Sequence, residues 1–204
     1  MTFYSKLGDK GITSLPNGIR LTKSSIYFEL IGNLEELNCH IDSVHCLIRT
    51  KGTVNGPCTR VYDELLKIKR FIIQIIDFIG HPPWHELKAI RGDVEYLIQE
   101  WSSNHGIDDT IIHMLEKMID IQYNDNRGIR DTASYDQIHS QLQICYSVAR
   151  RCERRYIEFL DTGLLCYGVY YDVDVQFNRI KIILNRIPDY FFVHFHFLPK
   201  VERT

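Results

Sequence analysis

The stretch S-V-A-R-R-C-E-R-R, residues Ser147–Arg155, lies within a long helical pattern. Apolar or small residues recur there in alternating steps of four and three, which is the spacing of one helix face packed in a bundle. Arg150, Glu153 and Arg154 lie off that face and within one turn of one another. By itself the helix favours a solvated charged face with internal ion pairs. The alternative is a polyphosphate site, where the arginines bind phosphate oxygens and Glu153 is oriented by them or binds a cation. The packed face is made of Ile138, Leu142, Cys145, Ala149, Cys152, Tyr156 and Phe159.

Similar four-three spacing elsewhere predicts an all-α protein. The strict repeat favours shallow crossing angles, so the helices should form an up-down bundle with four to five core helices. Pro188 should kink the last helix or free a carbonyl, and the aromatic segment that follows is interpreted as the helix end. No repeat or long linker divides the chain, so residues 1–204 are interpreted as one domain. The predicted helices lie near residues 25–49, 61–79, 87–101, 108–121, 138–163 and 173–198.

Composition restricts the class of partner. The net charge is -2, which gives no overall basic field for nucleic acid. Polar residues interrupt the longest apolar runs, so we expect no membrane span. Cys39 and Cys46 are seven residues apart, as are Cys145 and Cys152, and we interpret all four as reduced cysteines of the core. With no signal or transit segment recognised at the start of the chain, we expect a cytoplasmic protein.

The segment Phe3–Ser14, F-Y-S-K-L-G-D-K-G-I-T-S, has no apolar periodicity and is interpreted as an extended loop without a strand. Gly8 and Gly11 would let backbone N–H groups approach a phosphate, and the neighbouring lysines supply positive charge. The spacing is not that of a Walker loop. A loop of this composition is more often a flexible turn, so alone it does not establish a phosphate site.

Four stretches together resemble the trimeric ATP:corrinoid adenosyltransferases, and their order and spacing match over nearly the whole chain. The resemblance implies a ferritin-like helical bundle that forms a homotrimer and binds ATP between subunits. It also implies transfer of the 5′-deoxyadenosyl group of ATP to the cobalt of cob(I)alamin, with triphosphate leaving. The stretches are Tyr4–Gly11, similar to Y-T-K-T-G-D-K-G; Gly32–Asn38, similar to G-T-V-D-E-L-N; Ser147–Arg154, similar to T-V-x-R-R-A-E-R; and Leu184–Phe191, similar to L-N-R-L-S-D-Y-L.

The ATP side of the implied site is well matched. Residues 1–24 would form a nucleotide-binding loop, and Glu153 would help to hold Mg²⁺. This agrees with the chemistry, because a leaving triphosphate needs fixed positive charge from arginine, lysine and a divalent ion. The resemblance places ATP contacts at Tyr4, Ser5, Lys6, Gly8, Asp9, Lys10, Gly11, Lys23, Arg150, Glu153, Arg154 and Asn185.

The corrinoid side departs from the family pattern. Glu35 and Tyr146 stand where the family has an aspartate and its arginine partner, so at most the Tyr146 hydroxyl could donate to Glu35. The segment Arg130–Tyr135 replaces a family F-I-L-P-G-G motif, and Pro188 replaces a serine. The chain could therefore be a working adenosyltransferase with an altered corrinoid pocket. It could instead be a non-catalytic descendant that binds ATP and another protein, or a structural bundle that has lost its ligands.

Overall fold

The computed structural model describes residues 6, 8–15, 18, 20–50, 57–80, 107–125, 136–163 and 174–198. Within these ranges the chain forms a small hairpin followed by five α-helices, which confirms the all-α bundle. None of the described helices is long and apolar enough to cross a membrane. The predicted helix at 87–101 falls outside the described residues. The elements are β1 (Ile12–Ser14), β2 (Arg20–Thr22), α1 (Ile26–Thr50), α2 (Pro57–Gly80), α3 (Asp109–Asp125), α4 (Gln137–Glu158), a π-helical turn (Phe159–Gly163) and α5 (Asp174–Phe197).

Helix α4 lies at the centre of the bundle and packs against both α1 and α5. All seven residues of its predicted packed face are buried, at 1% exposure or less. The two ends of α4 show that α5 runs antiparallel to it. His139, near the start of α4, bonds through Nε2 to the Leu198 carbonyl at 2.8 Å, and the Tyr156 hydroxyl donates to the Phe177 carbonyl at 3.0 Å.

Helices α1 and α2 are also antiparallel. The Tyr27 hydroxyl donates to the carbonyl of Ile79, which joins the start of α1 to the end of α2. At the other end of the pair, His45 Nε2 lies 3.2 Å from the carbonyl oxygen of Tyr62. Burial lowers the pKa of His45, because the charged imidazolium loses hydration there.

Helix α3 contacts α5 and runs parallel to it. Asp109 pairs with Arg179, and Glu116 pairs with Arg186, so both helices advance in the same direction by seven residues between the two pairs. The intervening α4 reverses the chain direction, so the helices before and after it point the same way. The predicted up-down alternation along the sequence therefore places two parallel helices side by side.

Aspartates set the starts of two helices. Asp136 is the N-cap of α4, and its Oδ1 accepts from the backbone N–H groups of Ile138 at 2.8 Å and His139 at 3.0 Å. Asp108 precedes α3, and its Oδ1 accepts from the backbone N–H of Thr110 at 2.9 Å. Each such cap satisfies helix N–H groups that have no intrahelical partner and typically contributes ~1 kcal/mol.

The expectation of a strandless N-terminal loop is wrong. β1 pairs antiparallel with β2, with Ile12 opposite Thr22 and Ser14 opposite Arg20. Gly18 has φ +84°, and its N–H donates to the Leu15 carbonyl at 2.9 Å, so a glycine fits the left-handed turn position. Three-residue strands are too short to show a period-two pattern, which is why the sequence did not predict them.

Two of the four predicted core cysteines are not in the core. Cys145 and Cys152 are buried, and burial raises the pKa of each thiol to about 12. Cys39 and Cys46 are exposed on α1. The seven-residue spacing correctly places each pair on one helix face, but it does not tell which face points inward. On α1 the buried face is occupied by aliphatic residues of the core, Leu30, Leu34, Leu37, Ile41, Val44 and Ile48.

Candidate functional site

A chain of polar contacts joins α4 to α5 at the residues singled out in the sequence. Arg150 Nη1 donates to Glu153 Oε2 at 2.8 Å, and Asn185 Nδ2 donates to Glu153 Oε1 at 2.7 Å. Glu153 is 18% exposed and Arg150 is 44% exposed. Arg150 makes no other hydrogen bond to the described residues. Its guanidinium therefore presents further N–H donors to solvent or to a ligand.

The contacts continue to α3. Asn185 Oδ1 accepts from Arg186 Nη1 at 2.8 Å, and Arg186 Nε donates to Glu116 Oε1 at 3.0 Å. We call Arg150, Glu153, Asn185, Arg186 and Glu116 the Glu153 cluster. The sequence predicts three of these residues as site residues but not Arg186 and Glu116, because nothing in their spacing shows that α3 lies beside α5.

Asp189 belongs to the same electrostatic environment and was also missed. Partial desolvation raises the pKa of its carboxyl, although the residue as a whole remains exposed. The positive charges of Arg186 and Arg150 act in the opposite direction, and the carboxylate of Glu153 adds to the rise. Its position four residues after Asn185, on the same helix face, is the sequence signal that could have identified it.

Arg154 follows one turn after Arg150 and is exposed. It makes no hydrogen bond or ion pair with the described residues. Two exposed guanidinium groups on one flank of α4, with an anchored carboxylate between them, can bind an anion of several charges. Arg150, Arg151 and Arg155 also form ion pairs, so this flank combines internal ion pairs with the exposed, unpaired guanidinium of Arg154.

The N-terminal loop forms a second polar group around Lys23. The Lys23 backbone N–H donates to the Gly11 carbonyl at 2.9 Å, and its ammonium lies against Gly8. A Cβ atom at Gly8 would come within 2.9 Å of Lys23 Nζ, so the ammonium would have to shift if residue 8 carried a side chain. Lys6, Asp9 and Lys10 are exposed around the same turn. Tyr4 and Ser5 lie outside the described residues.

The loop lysines and the bundle residues form two separate groups among the residues that the structure describes. No hydrogen bond or ion pair of the described residues links Lys10 or Lys23 to Arg150, Glu153 or Asn185. The chain therefore holds two separate sets of phosphate-compatible side chains, one on the hairpin loop and one on the bundle.

The two corrinoid-side positions have different environments. Glu35 is exposed on α1, whereas Tyr146 on α4 packs its ring against Phe192 at 5.9 Å and Phe195 at 5.7 Å between centroids. The Tyr146 hydroxyl makes no hydrogen bond to Glu35 among the described contacts, so the bond considered from the sequence is not formed. Arg130–Tyr135 lies outside the described residues.

Arg151 connects the α1 motif to the α4 motif, which sequence analysis did not anticipate. Its guanidinium donates to Asn33 Oδ1 and to Glu36 Oε2. The neighbouring Cys152 thiol donates to the Asn33 carbonyl at 3.2 Å. Thus Arg150 belongs to the Glu153 cluster, whereas the neighbouring Arg151 joins α4 to α1.

The chain is similar to known proteins in sequence and in fold. The family model for cobalamin adenosyltransferase matches residues 3–198. Corrinoid adenosyltransferase MMAB of Bos taurus is 28% identical over 194 residues, which covers 93% of this chain and 68% of that protein. A variant PduO-type ATP:corrinoid adenosyltransferase from Lactobacillus reuteri, complexed with cobalamin and ATP, has the same fold with a TM-score of 0.67 and 19% identity over 96% of this chain and 92% of that chain. A second variant of that enzyme, complexed with ATP, has a TM-score of 0.66 and 19% identity over 95% of this chain and 92% of that chain. The chain belongs to the cobalamin adenosyltransferase family.

Proposed function

We propose that this protein binds Mg-ATP and is a corrinoid adenosyltransferase whose ATP side is intact and whose corrinoid side is altered. The observation that carries the proposal is the Glu153 cluster beside exposed Arg154. One anchored carboxylate and two available guanidinium groups suit a bound triphosphate. The corrinoid and ATP bound to the Lactobacillus reuteri relatives support the same class of substrates.

In the proposed reaction the cobalt of a reduced corrinoid attacks the 5′ carbon of ATP, and the carbon–oxygen bond to the triphosphate breaks. Arg150 and Arg154 would bind the phosphates and stabilise the charge that develops on the leaving group. Because Glu153 holds the Arg150 guanidinium, part of this positive charge is already positioned before the leaving group develops its charge.

Mg²⁺ fits this site when ATP supplies most of its ligands. The described residues contain no group of three or more metal-binding side chains. Mg²⁺ bound with nucleotides usually takes one or two carboxylates, with phosphate oxygens and water completing the coordination. Each carboxylate oxygen of Glu153 accepts one hydrogen bond and retains a further lone pair for the ion. Glu153 would therefore hold the Mg²⁺ ion, and the ion would neutralise phosphate charge.

We further propose that the active form is a homotrimer with ATP between subunits. Lys10 and Lys23 make no polar contact with the Glu153 cluster of their own chain, which supports a site completed by the loop of another copy. Residues 1–24 would then act as the nucleotide-binding loop. The exposed free thiols of Cys39 and Cys46 are compatible with a reducing compartment, and we propose a cytoplasmic location.

A non-catalytic ATP-binding protein is the second candidate, and the environment of Tyr146 favours it. The uncharged Tyr146 packs its ring against Phe192 and Phe195, where the family pattern has an arginine as the partner of residue 35. In that case ATP and the trimer would serve to bind another protein.

An anaerobic assay with ATP and reduced cobalamin, run beside an ATP titration, separates the two candidates. Formation of adenosylcobalamin supports the transferase. ATP binding without transfer supports the second candidate, and absence of ATP binding at millimolar Mg-ATP contradicts both.

A further inference from the structure

The polar contacts around Asn185 extend beyond the residues that would touch ATP. Arg186 and Glu116 are 34% and 40% exposed, and neither was identified from the sequence as part of a site. Arg186 lies on α5 and Glu116 lies on α3. Arg186 pairs with Glu116 and donates a hydrogen bond to the Asn185 carboxamide. We propose that Arg186 and Glu116 are positioning residues, which set the orientation of Asn185 and, through it, of the Glu153 carboxylate. This inference rests on the proposed ATP site.

The Asn185 carboxamide can make both of its hydrogen bonds in only one of its two orientations. The Arg186 guanidinium can only donate, and the ionised Glu153 carboxylate can only accept. Asn185 therefore directs Oδ1 to Arg186 at 2.8 Å and Nδ2 to Glu153 at 2.7 Å. A flipped carboxamide would lose both hydrogen bonds, and its oxygen would face a carboxylate.

Each of these hydrogen bonds orients the residue that makes the next one. Glu116 holds the Arg186 guanidinium through Nε at 3.0 Å, which leaves Nη1 directed at Asn185. Asn185 then occupies one oxygen of Glu153, and the other oxygen receives Arg150 at 2.8 Å. Groups that orient the residues in direct contact with a ligand commonly affect affinity without touching the ligand themselves.

The same pair could instead be a simple brace between α3 and α5. A half-exposed ion pair contributes little to the free energy of unfolding, so the two roles differ in what they change. A brace would affect stability and would tolerate any pair that joins the helices. A positioning role depends on which charge faces Asn185.

The chain provides a matched control on the same two helices. Arg179 lies seven residues before Arg186, and Asp109 lies seven residues before Glu116. The Arg179 guanidinium donates to both carboxylate oxygens of Asp109, at 2.8 and 3.2 Å. This pair joins α3 to α5 in the same way but makes no contact with the Glu153 cluster.

The first experiment measures Mg-ATP affinity by calorimetry, together with thermal stability. We expect Glu116→Gln and Arg186→Met to weaken ATP binding about tenfold, the effect typical of residues that orient a direct ligand contact. Arg186→Lys should restore part of the affinity, because its ammonium can still donate to Asn185. Asp109→Asn should leave the affinity within about twofold of the unmodified protein, a difference well under the energy of one such hydrogen bond.

A charge swap separates positioning from bracing. The double variant Glu116→Arg with Arg186→Glu can re-form the ion pair between α3 and α5, but it places a carboxylate against Asn185 Oδ1. We expect ATP binding to stay weak while thermal stability returns. Recovery of affinity in the swap would overturn the positioning role.

The outcome for Arg150→Ala shows which proposal fails. If Arg150→Ala weakens ATP binding but Glu116→Gln and Arg186→Met do not, the ATP site stands and the positioning role is refuted. If Arg150→Ala also has no effect, the proposed ATP site fails and this inference fails with it.

Discussion

Asn185 on α5 donates a hydrogen bond to Glu153 on α4, with Nδ2 2.7 Å from Oε1. Asn185→Asp would replace this donor with a second carboxylate, and two like charges would then face each other. We expect Mg-ATP affinity to fall about tenfold at pH 8, which is a loss of roughly 1.4 kcal/mol. The loss should shrink towards pH 5, because the carboxylate pair can then share a proton. Calorimetry of this variant and the unmodified protein at both pH values checks the prediction, and equal affinities at pH 8 would contradict it.

Arg150 should contribute directly to ATP binding. Arg150→Ala removes a charge-assisted contact, and we expect a loss of about 1.5–3 kcal/mol in binding free energy. The ATP-induced rise in melting temperature should fall accordingly, because a native-state ligand stabilises by RT ln(1 + [L]/Kd), which becomes smaller as Kd rises. Arg70→Ala, at an exposed arginine of α2, is the control and should leave the ATP response unchanged. Equal responses in the two variants would exclude Arg150 from the site.

The bundle was predictable because long helices repeat their signal many times. The packed face of α4 and the π-helical turn that follows it spans Ile138 to Phe159, and every predicted position in it is buried. The hairpin β1–β2 has only three residues in each strand, too few for a period to appear. The contact between Glu116 and Arg186 was not predictable either, because it depends on α3 lying parallel to α5 in one register. Spacing along a helix shows which residues share a face but not which helix that face meets.

Gly8 tests the contact between the loop and Lys23. In Gly8→Ala the new methyl group would come within 2.9 Å of Lys23 Nζ and 3.1 Å of Cε. Because these atoms lie at the end of a flexible side chain, we expect the ammonium to move away. ATP affinity should then fall, while the melting temperature should stay unchanged. Gly18→Ala is the contrasting variant, since Gly18 has φ +84° and no neighbour within 4 Å of an added Cβ. Gly18→Ala should cost ~1 kcal/mol of stability through backbone strain alone. A loss of stability in Gly8→Ala with a loss of ATP affinity in Gly18→Ala would contradict these predictions.

The exposed and buried cysteines should react differently with thiol reagents. Cys145 and Cys152 have a pKa of about 12, because burial disfavours their thiolates, so near pH 8 they are protonated and shielded. Cys39 and Cys46 are exposed and should react within minutes in the native protein. The double variant Cys39→Ser with Cys46→Ser should lose two equivalents of fast labelling. Fast labelling of Cys145 or Cys152 in the folded protein, detected by peptide mapping, would contradict their burial.

Tyr146 is part of an aromatic cluster on the surface between α4 and α5. Its ring contacts Phe192 and Phe195, and Phe192 is itself 43% exposed. This packing differs from the charged pair that the family pattern places at residues 35 and 146. Since adenosyl transfer needs cobalt aligned with the 5′ carbon at close range, a displaced corrinoid is costly to the rate.

We therefore expect adenosyl transfer to cobalamin to be far below about 1 per second, the slow end of typical enzymatic turnover, while ATP binding is retained. The double variant Glu35→Asp with Tyr146→Arg restores the charges of the family pattern, and an arginine can also stack on the faces of Phe192 and Phe195. We expect this variant to recover measurable transfer in the anaerobic assay, with little change in ATP affinity. Glu35→Asp with Ile144→Arg is the control, because Ile144 is 42% exposed on the same helix and the added charge is then misplaced. Equal transfer by the two double variants would show that position 146 does not govern the corrinoid. Transfer by the unmodified protein at about 1 per second or faster would show that the aromatic cluster accommodates the corrinoid as well as the ion pair does.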